Sequence, residues 1–377
     1  ALCAAIASGD RQEIDRAVNW VLDNTGEATR TKEMLTSYDG YVFRDKSAHA
    51  EGLRFAFDNL IFREGIGWES SPSYNSGWIA HLSDVAYLLE KAGVRVWDWP
   101  KFRRMFRWPF EMDCLGQFCP AVGDCGSASG GHVGIRGPSL RHALLATNDP
   151  LLNELGRKTK LEVDSYAALF EEIPTPEPSR EGATELRQLT QGSRLMGGYG
   201  LALLRSGKGD ESTAASLYYG RAATEHAHFD RLVLELFGYG RKLIPDLGYP
   251  EHAAEGDRPA VWTKNTLSHN TVVVDKRRQD TQAPGSLTLF ARMDGLSVVE
   301  VDAPEAYHPT AEYRRTVALI DLGPDARYVV DLFKVTGGTC HDYSTHGFDA
   351  DFSAENLELS DTQTRGTLAG EDVPYGA

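Results

Sequence analysis

The residues best equipped for chemistry lie in Thr224 to Asp230, Thr-Glu-His-Ala-His-Phe-Asp, which runs into the apolar-rich segment Arg231 to Phe237. In an extended chain, side chains two apart share a face, so His226, His228 and Asp230 are expected in one row on one side of a strand. Two later stretches look like partners for that row: Leu243 to Gly248, Leu-Ile-Pro-Asp-Leu-Gly, and Ser268 to Asp275, Ser-His-Asn-Thr-Val-Val-Val-Asp. His228, Asp246 and His269 together make a ligand set suited to a zinc-like divalent ion. Spacing alone does not complete the set. A tight hairpin centred on Tyr239 sets Asp246 nearer to Leu232 than to His228, a lag of ~13 Å along a straight strand, and a bend or bulge at Pro245 is needed to close it. His269 has to arrive from a third strand. His226 is either a fourth ligand or free for chemistry, since an imidazole serves as acid, base or cationic neutraliser of a carboxylate. Against all this stands the plainer reading, in which a histidine pair on a strand is polar decoration.

A second constellation is Gly65 to Trp78, Gly-Ile-Gly-Trp-Glu-Ser-Ser-Pro-Ser-Tyr-Asn-Ser-Gly-Trp, which leaves one helix and enters the next. Loops on a rigid scaffold commonly carry function, and Tyr74 sits just where that next helix begins. Taken alone it reads as a packing or capping tyrosine. Between helices also lies Gln117 to Gly131, rich in Gly, Ser and Cys, with Gly123-Asp124 at its centre. No strand precedes it and no Gly-Lys-Ser follows, so it reads as an irregular surface loop more than as a phosphate cradle. A loop of that length can line a cleft.

The scaffold is bounded by length and composition. A chain of 377 residues exceeds one usual core, and two domains are expected. With 41% hydrophobic, 25% charged and 10% aromatic residues it is ordinary for a globular protein. A net charge of -15 argues against nucleic acid as partner. A polyanionic substrate remains open, provided that its Arg and His contacts are local. No apolar run approaches the ~20 residues that span a bilayer, and Ala-Leu-Cys-Ala-Ala-Ile-Ala at the start reads as the middle of a helix, with the natural start expected upstream. Five cysteines, Cys3, Cys114, Cys119, Cys125 and Cys340, include no Cys-x-x-Cys pair. Three of them crowd into Asp113 to Cys125, where a disulfide is possible in an oxidising compartment.

The first half reads helical. Apolar residues recur at helical spacing in Arg11 to Asn24, Ala50 to Arg63 and Ser76 to Ala92, the last through Trp78, Leu82, Val85 and Leu89, and again in Ser139 to Thr147, Pro150 to Leu155 and Ser165 to Glu172. Paired helices packed as layers or as a ring follow. Glu172 to Glu185, with Pro174, Pro176 and Pro178, reads as an exposed linker. Beyond it come short β-rich runs: Tyr199 to Arg205, Ser212 to Tyr219, Arg231 to Phe237, Thr271 to Asp275, Ser286 to Met293, Ser297 to Val301, Tyr313 to Asp321 and Arg327 to Val335. Without intervening helices these favour an antiparallel sandwich. The expected organisation is therefore α+β in two domains, helical over 1–180 and a β-sandwich over 186–377.

Glu69-Ser-Ser-Pro-Ser-Tyr74 resembles the Glu-Gly-Ser-Pro-x-Tyr signature of the heparinase II/III-like polysaccharide lyases. His226-Ala-His228-Phe-Asp230, Pro245-Asp246-Leu-Gly248 and Ser268-His269-Asn270-Thr-Val-Val-Val-Asp275 are similar to that family's His-x-His-x-Asp, Asp-x-Gly and His-Asn-Thr-x-x-Val-Asp blocks. Tyr328 to Val335 and His341 to His346 also fit its sandwich. The blocks run in the family's order from Arg11 to about His346. The resemblance implies an incomplete (α/α) toroid, here lacking N-terminal helices, followed by an antiparallel β-sandwich that is possibly cut short at its C-terminal end. It also implies β-elimination at a uronic acid of an anionic polysaccharide, with alginate slightly preferred over a heparin-like or heparan-like chain.

By position Tyr74 matches the family's acid, in some members also its base, and His226 its catalytic histidine. His228, Asp246 and His269 match the ligands of a structural zinc. A phenol close to cationic neighbours loses its proton more readily, and the resemblance puts the cleft between the domains. The family's carboxylate-neutralising Asn, His or Arg has no match among Asn19, Asn24 and His49, and is expected upstream of Ala1. A secreted or periplasmic location and a possible homodimer go with the family. His341 and His346 read as sandwich residues, and Trp68, Trp78, Trp97 and Trp99 more as packing than as sugar platforms. Two rival functions remain: a non-catalytic glycan-binding protein on the same scaffold, and a metal-dependent glycan hydrolase whose ion activates water.

Overall fold

The computed structural model describes residues 1–22, 52–127, 131–159, 161, 173–221, 226–249, 261–281, 283–323, 326–347, 353–361, 363–367 and 370–372. Two compact units emerge. One comprises Ala1–Trp68, Asn75–Glu111 and Gly134–Leu189, and the other Glu69–Tyr74, Met112–Val133 and Thr190–Ala377. Two short segments from the first half, one ending at Tyr74 and one holding the Gly/Ser/Cys loop, thus group with the strands. Composition could not separate them out, because membership is set by contacts.

Helices span Leu2–Ser8, Arg11–Leu22, Pro72–Lys91, of which Asn75 onward belongs to the first unit, Gly137–Ala146, Pro150–Lys158 and Arg180–Thr190, with shorter ones at Pro100–Met105 and Trp108–Glu111. The expected helix Ala50 to Arg63 is a single α-turn, Leu53–Phe55, that widens into a π-helical turn over Ala56–Leu60. Pro72–Lys91 starts four residues before the expected position, since a proline is tolerated in a first helical turn, and its backbone reverses at Gly93, φ 86°. Its most buried stripe is Ile79, Ser83, Ala86 and Leu89, one residue on from the expected Trp78, Leu82 and Val85. Arg180–Thr190 occupies part of the stretch read as linker. Ser179 accepts from Gly182 N at 2.9 Å and so caps it, while Gly182 lies so close to Pro150 O that a Cβ would come within 1.9 Å. Arg107 holds Asp149 at 2.6 Å and Glu185 at 3.1 Å within this unit. Ser165 to Glu172, Asn24 and His49 fall outside the described residues or straddle their edge.

The second unit is built on antiparallel sheets. β1 (Arg194–Met196), β2 (Leu201–Ser206), β3 (Thr213–Tyr218), β4 (Val233–Gly238) and β5 (Arg241–Ile244) form one sheet in that order. β7 (Ser286–Met293), β8 (Leu296–Asp302), β9 (Thr310–Asp321) and β10 (Arg327–Gly337) form a second, in the order β10-β9-β8-β7, and β6 (Val272–Val274) pairs with β11 (His341–Tyr343). Leu204, Leu217 and Leu234 from the first sheet share a buried core with Val299, Val301, Val317 and Leu319 from the second and Val272 and Val274 from the third. β4 and β5 turn through Tyr239 and Gly240, both at positive φ, 54° and 69°, the two-residue hairpin whose twist matches the strands. A register shift pairs Leu236 with Ile244 but Phe237 with Lys242, so the irregularity falls two residues before Pro245.

His226 to Asp230 is not a strand: β4 begins only at Val233. The segment's backbone is engaged elsewhere, His226 O by Asp124 N at 2.9 Å and Phe229 N by Lys264 O at 3.1 Å, which removes it from a ladder. Leu232, at φ 59°, then turns the chain into β4.

One buried cation ties these pieces together. Arg315 on β9, fully buried, grips Asp331 on β10 through two bonds of 2.8 and 2.7 Å and donates to Leu232 O and Asn270 O, each at 2.6 Å. It therefore links the four-stranded sheet to the segments that lead into β4 and β6. Arg315→Met leaves Asp331 without its cation and Leu232 O without its side-chain donor, while Asn270 O keeps only Leu234 N, and should cost about 3–5 kcal/mol, read as a lower urea midpoint with unchanged slope.

Candidate active site

Asp124, which sequence reasoning passed over as part of a wall, is the hub of the site. Its Oδ2 lies 3.0 Å from His226 Nδ1 and its Oδ1 2.9 Å from His228 Nε2. An ionised carboxylate only accepts. In their neutral forms His226 therefore carries its proton on Nδ1 and leaves Nε2 with the lone pair, and His228 carries its proton on Nε2 and leaves Nδ1. Burial opposes the Asp124 charge, but the bonds from His228 and His226 outweigh it and hold its pKa below the usual carboxylate value.

Several contacts fix Asp124 in place. Gly123, at φ 55°, passes so close to His226 O that a Cβ would lie 2.3 Å from it, a spot where only glycine serves. Ser71 Oγ donates to Asp124 O at 2.7 Å and Gly123 N to Asp230 Oδ2 at 3.3 Å. Buried Glu235, on β4, accepts from Ala121 N at 2.6 Å and, through its other oxygen, from Lys242 Nζ and Asp246 N at 3.3 Å each. Lys242 Nζ in turn reaches Ser127 O at 2.9 Å. Glu235 and Lys242 were also missed, being inconspicuous charges inside β-rich runs. The Gly-Asp step inside a Gly/Ser/Cys loop was the one available signal.

Tyr74 lies in the first turn of Pro72–Lys91, in the same compact unit as His226. Its ring stacks on the His226 imidazole, centroids 3.4 Å apart and planes 15° from parallel. The cationic surroundings expected for it are absent among the described residues that act on it. Burial, a hydrogen bond with Tyr249 and the carboxylates of Asp124 and Glu69 push its pKa up to about 12. At neutral pH this phenol keeps its proton and can donate it. Apart from burial, the groups that act on it are Tyr249 and two carboxylates, none of them cationic.

Of the three expected metal ligands, Asp246 and His269 meet directly, Oδ2 to Nδ1 at 2.6 Å. Burial works against both charges, yet their attraction prevails, so His269 is raised and Asp246 lowered. The bend after β5 that Pro245 permits brings Asp246 there, and Asn270 Nδ2 holds Pro245 O at 2.9 Å. The His228 and His269 rings are 5.4 Å apart. His228 Nδ1 is buried without a hydrogen-bond partner among the described residues, and buried His269 Nε2 has no hydrogen bond of good geometry there, with the Thr263 backbone nearby. No group of three His, Cys, Asp or Glu is drawn together as a metal site among those residues. Two carboxylates nevertheless orient two imidazoles, each with one nitrogen left over, and this is how protein histidines are prepared for a metal. The donor chemistry fits. His341, on Gly337 O, and His346, near Ser344 and Leu267 O, take no part.

Residues 189–364 match the family model described as Heparinase II/III-like, C-terminal. The strand-rich part of the chain is thus similar to a heparinase II/III-like C-terminal domain, as its motifs suggested. An alginate lyase of Stenotrophomonas maltophilia (strain K279a) is 26% identical over 197 residues, covering 47% of this chain and 26% of that protein. Among solved structures, a Heparinase III gene product is similar with a TM-score of 0.54 at 16% identity, over 79% of this chain and 43% of that one. Heparan sulfate lyase HepC of Pedobacter heparinus gives 0.50 at 18%, over 74% and 40%. At such identities the likeness is one of fold, and the chain spans less than half the length of these relatives. No helix among the described residues is long and apolar enough to cross a membrane.

Asp124→Ala should release both imidazoles at once. Leaving the buried His228 unpaired costs about 1–3 kcal/mol. Nitrogen-15 spectra of the histidine rings should lose the fixed Nδ1–H form at His226 and the fixed Nε2–H form at His228.

Proposed function

We propose that this chain carries the acid and base of a polysaccharide lyase acting on a uronate-containing anionic glycan. What carries the reading is the Tyr74 ring lying flat on His226, whose tautomer Asp124 fixes. Base and acid then sit side by side with opposite tasks. His226 Nε2 takes the proton from C5 of the uronate, the C4–C5 double bond forms, the C4–O4 bond breaks, and the Tyr74 hydroxyl returns a proton to O4. A phenol with its pKa raised to about 12 suits the donor role. The substrate carboxylate needs a neutraliser, which the family places in the helical part, here read as an incomplete (α/α) toroid. Alginate is the first substrate to try because the relative from Stenotrophomonas is an alginate lyase; heparan sulfate follows from the structural neighbours. Export to the periplasm or beyond fits such polymers.

His228, Asp246 and His269 would hold a divalent ion, zinc by donor type. When bound it would supply a cross-link between the segment before β4, the bend after β5 and the turn before β6.

Incubation with alginate, heparin, heparan sulfate and hyaluronan should give the ultraviolet absorbance of an unsaturated uronyl product with at least one of them. Saturated products would point to hydrolysis, and binding without any product to a lectin-like role. Tyr74→Phe should lower kcat by about 10²–10⁴ with little change in KM, and His226→Ala by a similar factor. Chelation should lower the thermal midpoint of the wild type and leave that of His269→Ala unmoved; elemental analysis finding no transition metal would remove the zinc assignment.

A further inference from the structure

Of the five cysteines, two are placed for a bond to one another. Cys119 Sγ and Cys125 Sγ lie 3.6 Å apart, both buried. The other thiols are engaged elsewhere or exposed. Cys114 Sγ faces Met112 O at 3.6 Å, Cys340 Sγ lies 3.7 Å from an Asp342 oxygen, and Cys3 is exposed on the first helix. The approach is imposed by backbone: Cys119 N donates to Gly131 O at 2.9 Å, and Gly248 lies against Cys125 O so tightly that a Cβ would come within 2.3 Å. Ser73, next to Tyr74, reaches Cys125 Sγ at 3.2 Å. Between the two cysteines sit Gly123 and Asp124.

We propose that Cys119 and Cys125 are a disulfide-forming pair that, in an oxidising compartment, cross-links the base of the loop carrying Asp124. The bond selects one of the three pairings that Cys114, Cys119 and Cys125 allow. Its oxidant is a disulfide, either small-molecule or carried by an oxidoreductase. The Cys125 thiolate attacks the oxidant and gives a mixed disulfide and one free thiol of the oxidant. The Cys119 thiolate then attacks Cys125 Sγ, forms the internal bond and expels the second thiol. Two electrons pass to the oxidant, and the two cysteine protons leave on its two thiols. Because both sulfurs are buried once the loop is seated, the exchange belongs to folding, and the finished bond is shielded from reductants. A short closed loop around Gly123-Asp124 keeps the carboxylate in register with both imidazoles. This inference stands apart from the lyase reading.

The test is differential alkylation of the full chain exported to the periplasm of a bacterial host. After acid quenching, free thiols are blocked under denaturing conditions with light iodoacetamide, and the protein is then reduced and treated with the heavy reagent. Heavy label at Cys119 and Cys125, with light label at Cys3, Cys114 and Cys340, is the expected result. Light label at Cys119 and Cys125, or heavy label at Cys114, overturns it. In a second measurement, dithiothreitol added during unfolding should lower the thermal midpoint of the oxidised wild type by several degrees and leave the Cys119→Ala/Cys125→Ala protein unmoved. Equal sensitivity in both proteins also overturns the assignment.

Discussion

The site depends on one carboxylate placed between two imidazoles. Asp124 satisfies His226 with one oxygen and His228 with the other, and so decides which nitrogen of each ring keeps a lone pair. Everything nearby serves to hold that carboxylate. Glycine at 123 lets its loop touch the His226 backbone, Ser71 ties it to the segment that leads to Tyr74, and Glu235 anchors its start on β4. A carboxylate freer to move would leave the imidazoles free to exchange tautomers.

A feature of this kind needs a stiff support, and the strand-rich unit provides it through buried charge as well as apolar packing. Arg315 and the Glu235–Lys242 pair lie where desolvation is costly, so each is compensated by several hydrogen bonds. These bonds end mostly on backbone carbonyls and amides of irregular segments. That is how residues outside any sheet, such as Leu232, Asn270 and Ala121, acquire fixed positions. The long sheets contribute rigidity; the buried charges convert it into placement of loops.

The two halves of the proposed acid–base pair differ in their surroundings. Tyr74 is flanked by Asp124, Glu69 and Tyr249, which favour its neutral form. His226 shares Asp124 with His228, so the carboxylate that adds to the effect of burial on the phenol also orients the imidazole stacked on it. The sequence expectation of cationic neighbours failed: apart from burial, the groups that act on the phenol are Tyr249 and two carboxylates.

Much of the architecture could be read from local patterns. Short β-rich runs between turn-formers gave Ser286–Met293 to the residue and β8, β9 and β10 within a few residues, and helical spacing gave most of Pro72–Lys91 and Pro150–Lys158, because a helix that buries one face repeats its apolar residues every three or four positions. The chemistry of Tyr74, His226, His228, Asp246 and His269 was legible as residue types in an ordered set of motifs. What no local rule could reveal was Asp124's reach across 102 residues to His226, the irregular course of the segment from His226 to Asp230, the direct pairing of Asp246 with His269, or the choice of Cys125 over Cys114 as the neighbour of Cys119. Those depend on which loops are pressed together when the sheets close, and hydrogen bonds and close glycine contacts between distant segments leave no periodic trace in a chain.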